Sequence, residues 1–518
     1  MTLNELLAKA LRLWPEKEAI ICGDVRMNYR TLGKRIFSLC TAFKELGIKK
    51  GDRLAIVHEN HHTFLEVYFA TAHLGIILVP INTRLSINEL CLIIEDSNAS
   101  VIISQSKFYD ILRQLLAKTK IKEIIWTDFP EKEDGLYYEK LVNESGPFIP
   151  PVCIKDTDIA QIYYTSGTTG RAKGVILTHK NVKTHALGAI AELHLTDRDN
   201  WLHAAPMFHL ADAWATFAIT WTGGRHVFIP AFEASSVLGI IEKNKITITN
   251  LIPTMLNMMV NHPDAKKHDY SSLRILMSGG APIAPELVKK ITDIFKCNYI
   301  QTYGMTETSP YLTLSILKEH LKSLPWKEQL RYKAKTGREF ITINLRVIDE
   351  RGRDIKKDEN QVGEIIVQGD TITPGYWNLP CETEKVIKNG WLYTGDLAVM
   401  DEEGYIQIVD RKKDMIITGG ENVYSTEVEN VLYMHPAILE AAVIGIPDKH
   451  WGESVKAVVV LKKGYHTTEK ELIDFCKKHL AHYKAPKSVD FTAFLPKTGS
   501  GKIHKKKIRE KHCNRPEK

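Results

Sequence analysis

Short β-branched runs alternate with helical patterns through the first half of the chain, and this alternation restricts the fold more than any other feature. Residues 53–58 read as a strand, 63–74 as a helix stopped by Gly75, and 76–81 as a strand again. Ser86-Ile87-Asn88-Glu89 then spells a capping box that opens another apolar-periodic helix, and 101–104 follows as a strand. The rhythm resumes at 201–205, 226–231, 246–253 and 273–278, the last followed by Pro282 and Pro285 at a helix start. Strand, helix, strand repeated predicts a largely parallel α/β sheet.

After Gly337 the pattern changes to closely spaced strands with turn signals at 349–352 and 401–404, which predicts a small antiparallel unit. The charged run 410–414 precedes a compact stretch with strands near 441–446 and 455–461 and a helix near 470–480. A chain of 518 residues holds more than one core, so the boundary is set there, giving domains 1–410 and 411–518.

No uninterrupted apolar run approaches the ~18 residues of a membrane span, and the first fifteen residues lack a charged stretch followed by an apolar one. A soluble cytoplasmic protein is therefore the expectation. Eight cysteines are scattered without a C-x-x-C pair, which predicts reduced thiols with neither a disulfide framework nor a zinc site. The net charge of +7 (69 basic minus 62 acidic) equals the surplus of nine Lys/Arg over two Glu in residues 496–518 alone. The rest is balanced, which argues against a nucleic-acid partner. The basic tail reads first as a solvated end and second as a peripheral contact with an anionic membrane. Oligomeric state leaves no signature.

The richest local signal is Tyr163-Tyr164-Thr165-Ser166-Gly167-Thr168-Thr169-Gly170-Arg171-Ala172-Lys173-Gly174, set between apolar runs at 159–164 and 175–178. Glycines let the backbone turn its N–H groups into one concavity, hydroxyls add donors, and Lys173 adds a point charge. Such a loop can wrap a polyphosphate, although it does not spell the Walker A pattern. His58-Glu59-Asn60-His61-His62 does spell H-E-x-x-H, but it straddles a strand end and a helix start, so its side chains are expected to diverge rather than bind zinc. Gly499-Ser500-Gly501-Lys502 is a glycine-rich turn presenting one lysine that could enter and leave an active site.

Taken in order, these segments resemble the acyl-CoA synthetase, adenylation-domain and luciferase superfamily of adenylate-forming enzymes. The resemblance is carried by the loop at 165–174, Pro206-Met207-Phe208-His209, Ser278-Gly279-Gly280-Ala281-Pro282 and Tyr303-Gly304-Met305-Thr306-Glu307. It continues through Gly375-Tyr376-Trp377, residues 391–396, 410–414 and 419–424, and the Lys502 turn. It implies a large α/β N-terminal domain, made of parallel sheets plus a small β unit, and a small mobile α+β C-terminal domain. It also implies an enzyme that uses ATP, Mg²⁺ and coenzyme A to join a carboxylic acid to a thiol.

Carried over residue by residue, Thr165, Ser166, Gly167, Thr168, Thr169, Gly170 and Lys173 would cradle phosphates. Gly280, Ala281, Pro282 and Tyr303, with Gly304 and Met305, would hold adenine; Asp396 and Arg411 would take the ribose; Thr306 would meet the α-phosphate. Glu307 would bind magnesium, and Lys502 would stabilise the charge that develops at phosphate. The chain departs from the family in lacking a proline before Lys173, which loosens the loop without deleting a donor. Amino-acid-activating relatives carry aspartate where this chain has His209, so the resemblance points to acyl-CoA synthetases, in which this histidine lines or gates the acid pocket. The following residues 210–217 are mostly apolar, which suits an ordinary buried helix or an alkyl or aryl acid. The resemblance is greatest to medium- and long-chain fatty acyl-CoA synthetases, with 4-coumarate-type ligases as the nearest rival and acylation of a carrier protein as a further alternative.

Overall fold

The computed structural model describes residues 2–128, 135–143, 150, 152–165, 172–497 and 503–513. The chain divides into two compact units, Met1–Leu345 with Val367–Leu392, and Arg346–Ile366 with Tyr393–Lys518.

The first unit is built on two sheets. In one, the strands Leu136–Tyr137, Glu123–Trp126, Val101–Ser104, Arg53–Val57, Ile77–Pro80 and Ile159–Thr165 run parallel in that order, and Lys173–Thr178 closes the edge as an antiparallel hairpin. The capping box forms as the sequence predicts: Ser86 and Glu89 satisfy each other's backbone at the start of the Ile87–Ser97 helix. Gly75 ends the His62–Leu74 helix at φ 66°, a conformation that costs glycine nothing. In the other sheet six parallel strands lie in the order Asn298–Gly304, Ile275–Gly279, Ile248–Leu251, Asn200–His203, Arg225–Phe228 and Glu18–Cys22. Helices such as Pro285–Phe295, with its proline at the first turn, pack Val288, Ile291 and Phe295 into the core of this sheet. The hydrophobic periodicity of the sequence is thus spent on burying one face of each helix against a parallel sheet.

Beneath the first sheet lies an ionic network. Glu66 is fully buried, takes Arg35 Nε at 2.5 Å and the Tyr138 hydroxyl at 2.7 Å, and Arg35 also reaches Glu139 at 2.7 Å. Burial alone would raise the Glu66 carboxyl, but His62 and Arg35 outweigh it and hold the group down at about 2. Because the folded value is depressed, its stabilisation is present above the ordinary glutamate range and lost as pH falls toward 2. Arg35→Met strands a buried carboxylate, so equilibrium urea unfolding is expected to report a loss of about 3–5 kcal/mol.

In the second unit, residues 396–400 of the Trp391–Met400 strand pair with the Tyr405–Arg411 strand, with Asp396 opposite Arg411. The C-terminal part is a sheet ordered Glu421–Val423, Ile416–Thr418, Gly452–Leu461, Ile438–Asp448, with Ser488–Phe491 added parallel to Gly452–Leu461. The Ser425–Met434 and Glu469–His479 helices cover it through Val428, Leu432, Leu472 and Cys476. The basic tail differs from a free solvated end over its described part. It forms the Lys505–Cys513 helix, in which Lys505 pairs with Glu429 at 2.7 Å and Arg509 with Asp414 at 3.0 Å. Lys506 and Lys507 remain exposed. Among the described residues no helix is long and apolar enough to cross a membrane, no cluster of three His, Cys, Asp or Glu could hold a metal, and seven cysteines are free thiols.

Candidate active site

Six parallel strands present their carboxyl ends along one edge, the place where open α/β sheets take ligands. Three groups of sequence-predicted residues meet there. Gly280, Ala281 and Pro282 follow the Ile275–Gly279 strand and are exposed, with the Ala281 carbonyl fixed by Gln301 Nε2 at 2.9 Å. Tyr303 and Gly304 end the neighbouring Asn298–Gly304 strand, and Met305 leads into a single 3₁₀ turn over Thr306–Thr308. Gly304 has no substitute, since a side-chain carbon there would overlap the Pro310 carbonyl oxygen. His209 follows the Asn200–His203 strand through Pro206–Phe208 and sits at the start of the Leu210–Thr222 helix.

Glu307 is only 7% exposed. Its side chain accepts the Tyr376 hydroxyl at 2.9 Å, and its carbonyl accepts Thr373 N–H at 2.8 Å. Residues 373–377 in turn run beside the Lys173–Thr178 strand: Ile176 N–H donates to Gly375 O at 3.1 Å and Trp377 N–H to Gly174 O at 2.7 Å. This places the Lys173 ammonium 5.0 Å from the centre of the Tyr376 ring and 2.6 Å from Glu382 Oε2. Lys173, Tyr376 and Glu307 therefore form one continuous chain of contacts. Burial, and then the Glu307 charge, push the Tyr376 phenol well above its ordinary range, so it stays a donor. Lys173 and Lys385 hold the Glu382 carboxyl at about 2, keeping it anionic against the lysine.

Thr165 and Lys173 are register partners in the hairpin, so the ends of the phosphate-loop sequence are brought together. Ser166, Gly167, Thr168, Thr169, Gly170 and Lys502 lie outside the described residues. Asp396 and Arg411 belong to the second unit, where the Arg411 guanidinium meets Asp396 Oδ1 at 3.1 Å and Asp396 N–H donates to Thr394 Oγ1 at 3.1 Å.

The Leu210–Thr222 helix is buried from Leu210 to Thr220 except at Ala211, which is exposed in the first turn beside a partly exposed His209. A helix apolar on nearly every side is a core helix, so the plain reading of this stretch holds over most of its length. Only the His209 and Ala211 end opens to the sheet edge.

Sequence reasoning missed three contributors. Tyr376 was legible as a motif residue but without a role. Glu382 carries no pattern at all, because its partner is 209 residues away. Asn60 sits inside the H-E-x-x-H spelling and does something different: its side-chain amide donates to the carbonyls of His203 and Ala205 at 3.2 and 2.8 Å and accepts Met207 N–H at 2.8 Å, clamping the segment that leads to His209. The neighbouring histidines do not separate as fully as expected, since the rings of His58 and His61 lie 5.3 Å apart, but each is engaged by a threonine hydroxyl at 2.8 Å.

The AMP-binding enzyme family matches residues 7–377, and the AMP-binding enzyme C-terminal domain matches 427–502. A feruloyl-CoA synthase from an Amycolatopsis species is 36% identical over 501 residues, covering 96% of this chain and 97% of its own. A long-chain-fatty-acid–CoA ligase from Mycobacterium tuberculosis is 34% identical over 489 residues, 94% of each chain. The ATP-bound crystal structure of MatB from Rhodopseudomonas palustris matches with a TM-score of 0.88 at 28% identity over 99% of each chain. A family match across most of the sequence and relatives above 30% identity along nearly all of it agree: the chain belongs to the AMP-binding enzymes, the adenylate-forming superfamily of acyl- and aryl-CoA ligases that use ATP, magnesium and coenzyme A.

Proposed function

We propose that this ligase activates an apolar carboxylic acid, a medium- or long-chain fatty acid first among them, as its acyl-AMP and transfers the acyl group to coenzyme A. The observation that carries the reading is the Leu210–Thr222 helix, mostly apolar and buried from Leu210 to Thr220 except where Ala211 opens beside His209. A small residue there leaves room for substrate, and His209 lines the entrance.

In the first half-reaction a substrate carboxylate oxygen attacks the α-phosphorus of ATP and pyrophosphate leaves. Thr306 holds the α-phosphate, Tyr303 with Gly280–Pro282 holds adenine, Asp396 and Arg411 take the ribose hydroxyls, and Thr165 with Lys173 begins and ends the phosphate loop. Fixed donors of this kind stabilise charge that appears only in the transition state. Glu307 suits magnesium, because one buried carboxylate plus substrate phosphate oxygens is the usual donor set of that ion. Bound there, magnesium supplies neutralisation of phosphate charge. Nucleotide phosphates compete with Glu382 for Lys173, so the ion pair at 2.6 Å describes the lysine at rest. In the second half-reaction residues 411–518 turn about the 410–414 segment, Lys502 withdraws, and the thiol sulfur attacks the acyl carbon as AMP leaves.

The relative that joins feruloyl groups to coenzyme A favours a second reading, an aryl acid. AMP release from ATP and coenzyme A with octanoate, palmitate, benzoate, ferulate and 4-coumarate separates the two. Palmitate or octanoate ahead of the aryl acids by kcat/KM is the expected order; ferulate ahead overturns the fatty-acid reading, and acylation of a carrier protein without acyl-CoA overturns the thiol.

A further inference from the structure

A hydrogen-bonded chain with no exposed member runs through the core behind His209. Thr220 Oγ1 lies 3.0 Å from His226 Nε2, His226 Nδ1 lies 3.0 Å from His203 Nε2, and His203 Nδ1 lies 2.5 Å from Asp212 Oδ2. Trp201 Nε1–H donates to the other Asp212 oxygen at 3.3 Å. All five side chains are fully buried.

The directions of these bonds follow from satisfying every donor. Thr220 O–H donates to His226 Nε2, His226 Nδ1–H to His203 Nε2, and His203 Nδ1–H to the Asp212 carboxylate, which already takes the tryptophan N–H. Reversed, with Asp212 protonated, the Thr220 hydrogen would need a further acceptor. The run therefore ends on a carboxylate placed in the first turn of the Leu210–Thr222 helix, where the helix dipole favours an anion. Burial keeps His226 neutral, which is the form this direction requires.

The geometry is that of a strut. Asp212 and Thr220 stand on one face of the helix about two turns apart, while His203 and His226 stand on two adjacent strands that pair Trp201 with His226. Each end of the helix is thereby bolted to the sheet, and hydrophobic contacts, which are not directional, would leave it free to slide. We propose that Asp212, His203, His226 and Thr220 are positioning residues that fix the axial placement of the Leu210–Thr222 helix and so present His209 to the carboxylic acid. The inference rests on the reading of His209 as part of the acid site.

The test is pyrophosphate exchange on purified full-length protein with Asp212→Ala, Asp212→Asn, Thr220→Val, His209→Ala and the Asp212→Ala/His209→Ala double variant. Asp212→Ala is expected to lower kcat/KM for the acid by up to ~10²-fold, the cost of misplacing a reacting group by about an ångström, with KM for ATP unchanged. Asp212→Asn keeps one oxygen to accept from His203 but turns an N–H₂ toward the Trp201 N–H that the second carboxylate oxygen accepts at 3.3 Å, so it restores part of the loss, and Thr220→Val shows a smaller loss of the same kind should Asp212→Ala fail to fold. The double variant is expected to be no worse than the more damaged single one, because residues acting through one another are not additive. Multiplying losses, or equal losses toward acid and ATP, overturn the strut while leaving the acid site intact. An unchanged acid kcat/KM in His209→Ala overturns the acid-site reading itself, and the strut with it.

Discussion

Glu307→Gln is expected to slow acyl-AMP formation by about 10²–10³-fold, the usual cost of removing one fixed electrostatic group from a transition state. The substitution is informative because it isolates charge from structure. Glutamine keeps the length and an oxygen that still accepts the Tyr376 hydroxyl, now 2.9 Å from the carboxylate, and the Thr373 N–H bond goes to the backbone carbonyl, which the change does not touch. Folding stability should therefore stay near wild type while the magnesium concentration for half-maximal rate rises. A variant that keeps its magnesium dependence and its rate would remove Glu307 from the site.

Lys502→Ala is expected to separate the two half-reactions. On the proposed role, in which the lysine acts only while charge develops at phosphate, adenylation of the acid falls by about 10²–10³-fold, whereas conversion of supplied acyl-AMP to acyl-CoA stays within a few-fold of wild type. Rapid-quench measurement of each step distinguishes this from a general loss, since a residue used in both steps would slow them alike.

Much of the first unit can be read from sequence because its signals are local. The Ser86 and Glu89 capping box, Gly75 after its helix and Pro285 at a first turn are each decided within four residues, and each stands where expected. The strand at 101–104 is found at those residues, while the one read at 246–253 shortens to Ile248–Leu251, since β-branched composition marks a strand's centre better than its ends. Sheet order is not legible. Glu18–Cys22 pairs with Arg225–Phe228, Ile20 opposite His226, and nothing in either run names the other.

The site divides in the same way. Residues 280–282 and 303–307 were visible because loops after parallel strands keep chemistry and position together in the sequence. The contacts that hold Lys173 and the Leu210–Thr222 helix were hidden, although one signal was present: Asp212 is a lone acid in an otherwise apolar stretch, and a buried carboxylate needs partners. His203 and His226 are those partners, and only the fold supplies them.

The hairpin of Ile159–Thr165 and Lys173–Thr178 separates two things a mutation could change. Tyr164 pairs with Gly174 and Thr165 with Lys173, so the stem alone sets the address of the lysine. A residue gained or lost between those partners leaves that address untouched, whereas one gained within either strand slips the register and turns Lys173 to the opposite face. The stem is therefore answerable for where Lys173 stands, and residues 166–170 are answerable for the donors a phosphate would need, so the two can be altered and scored separately.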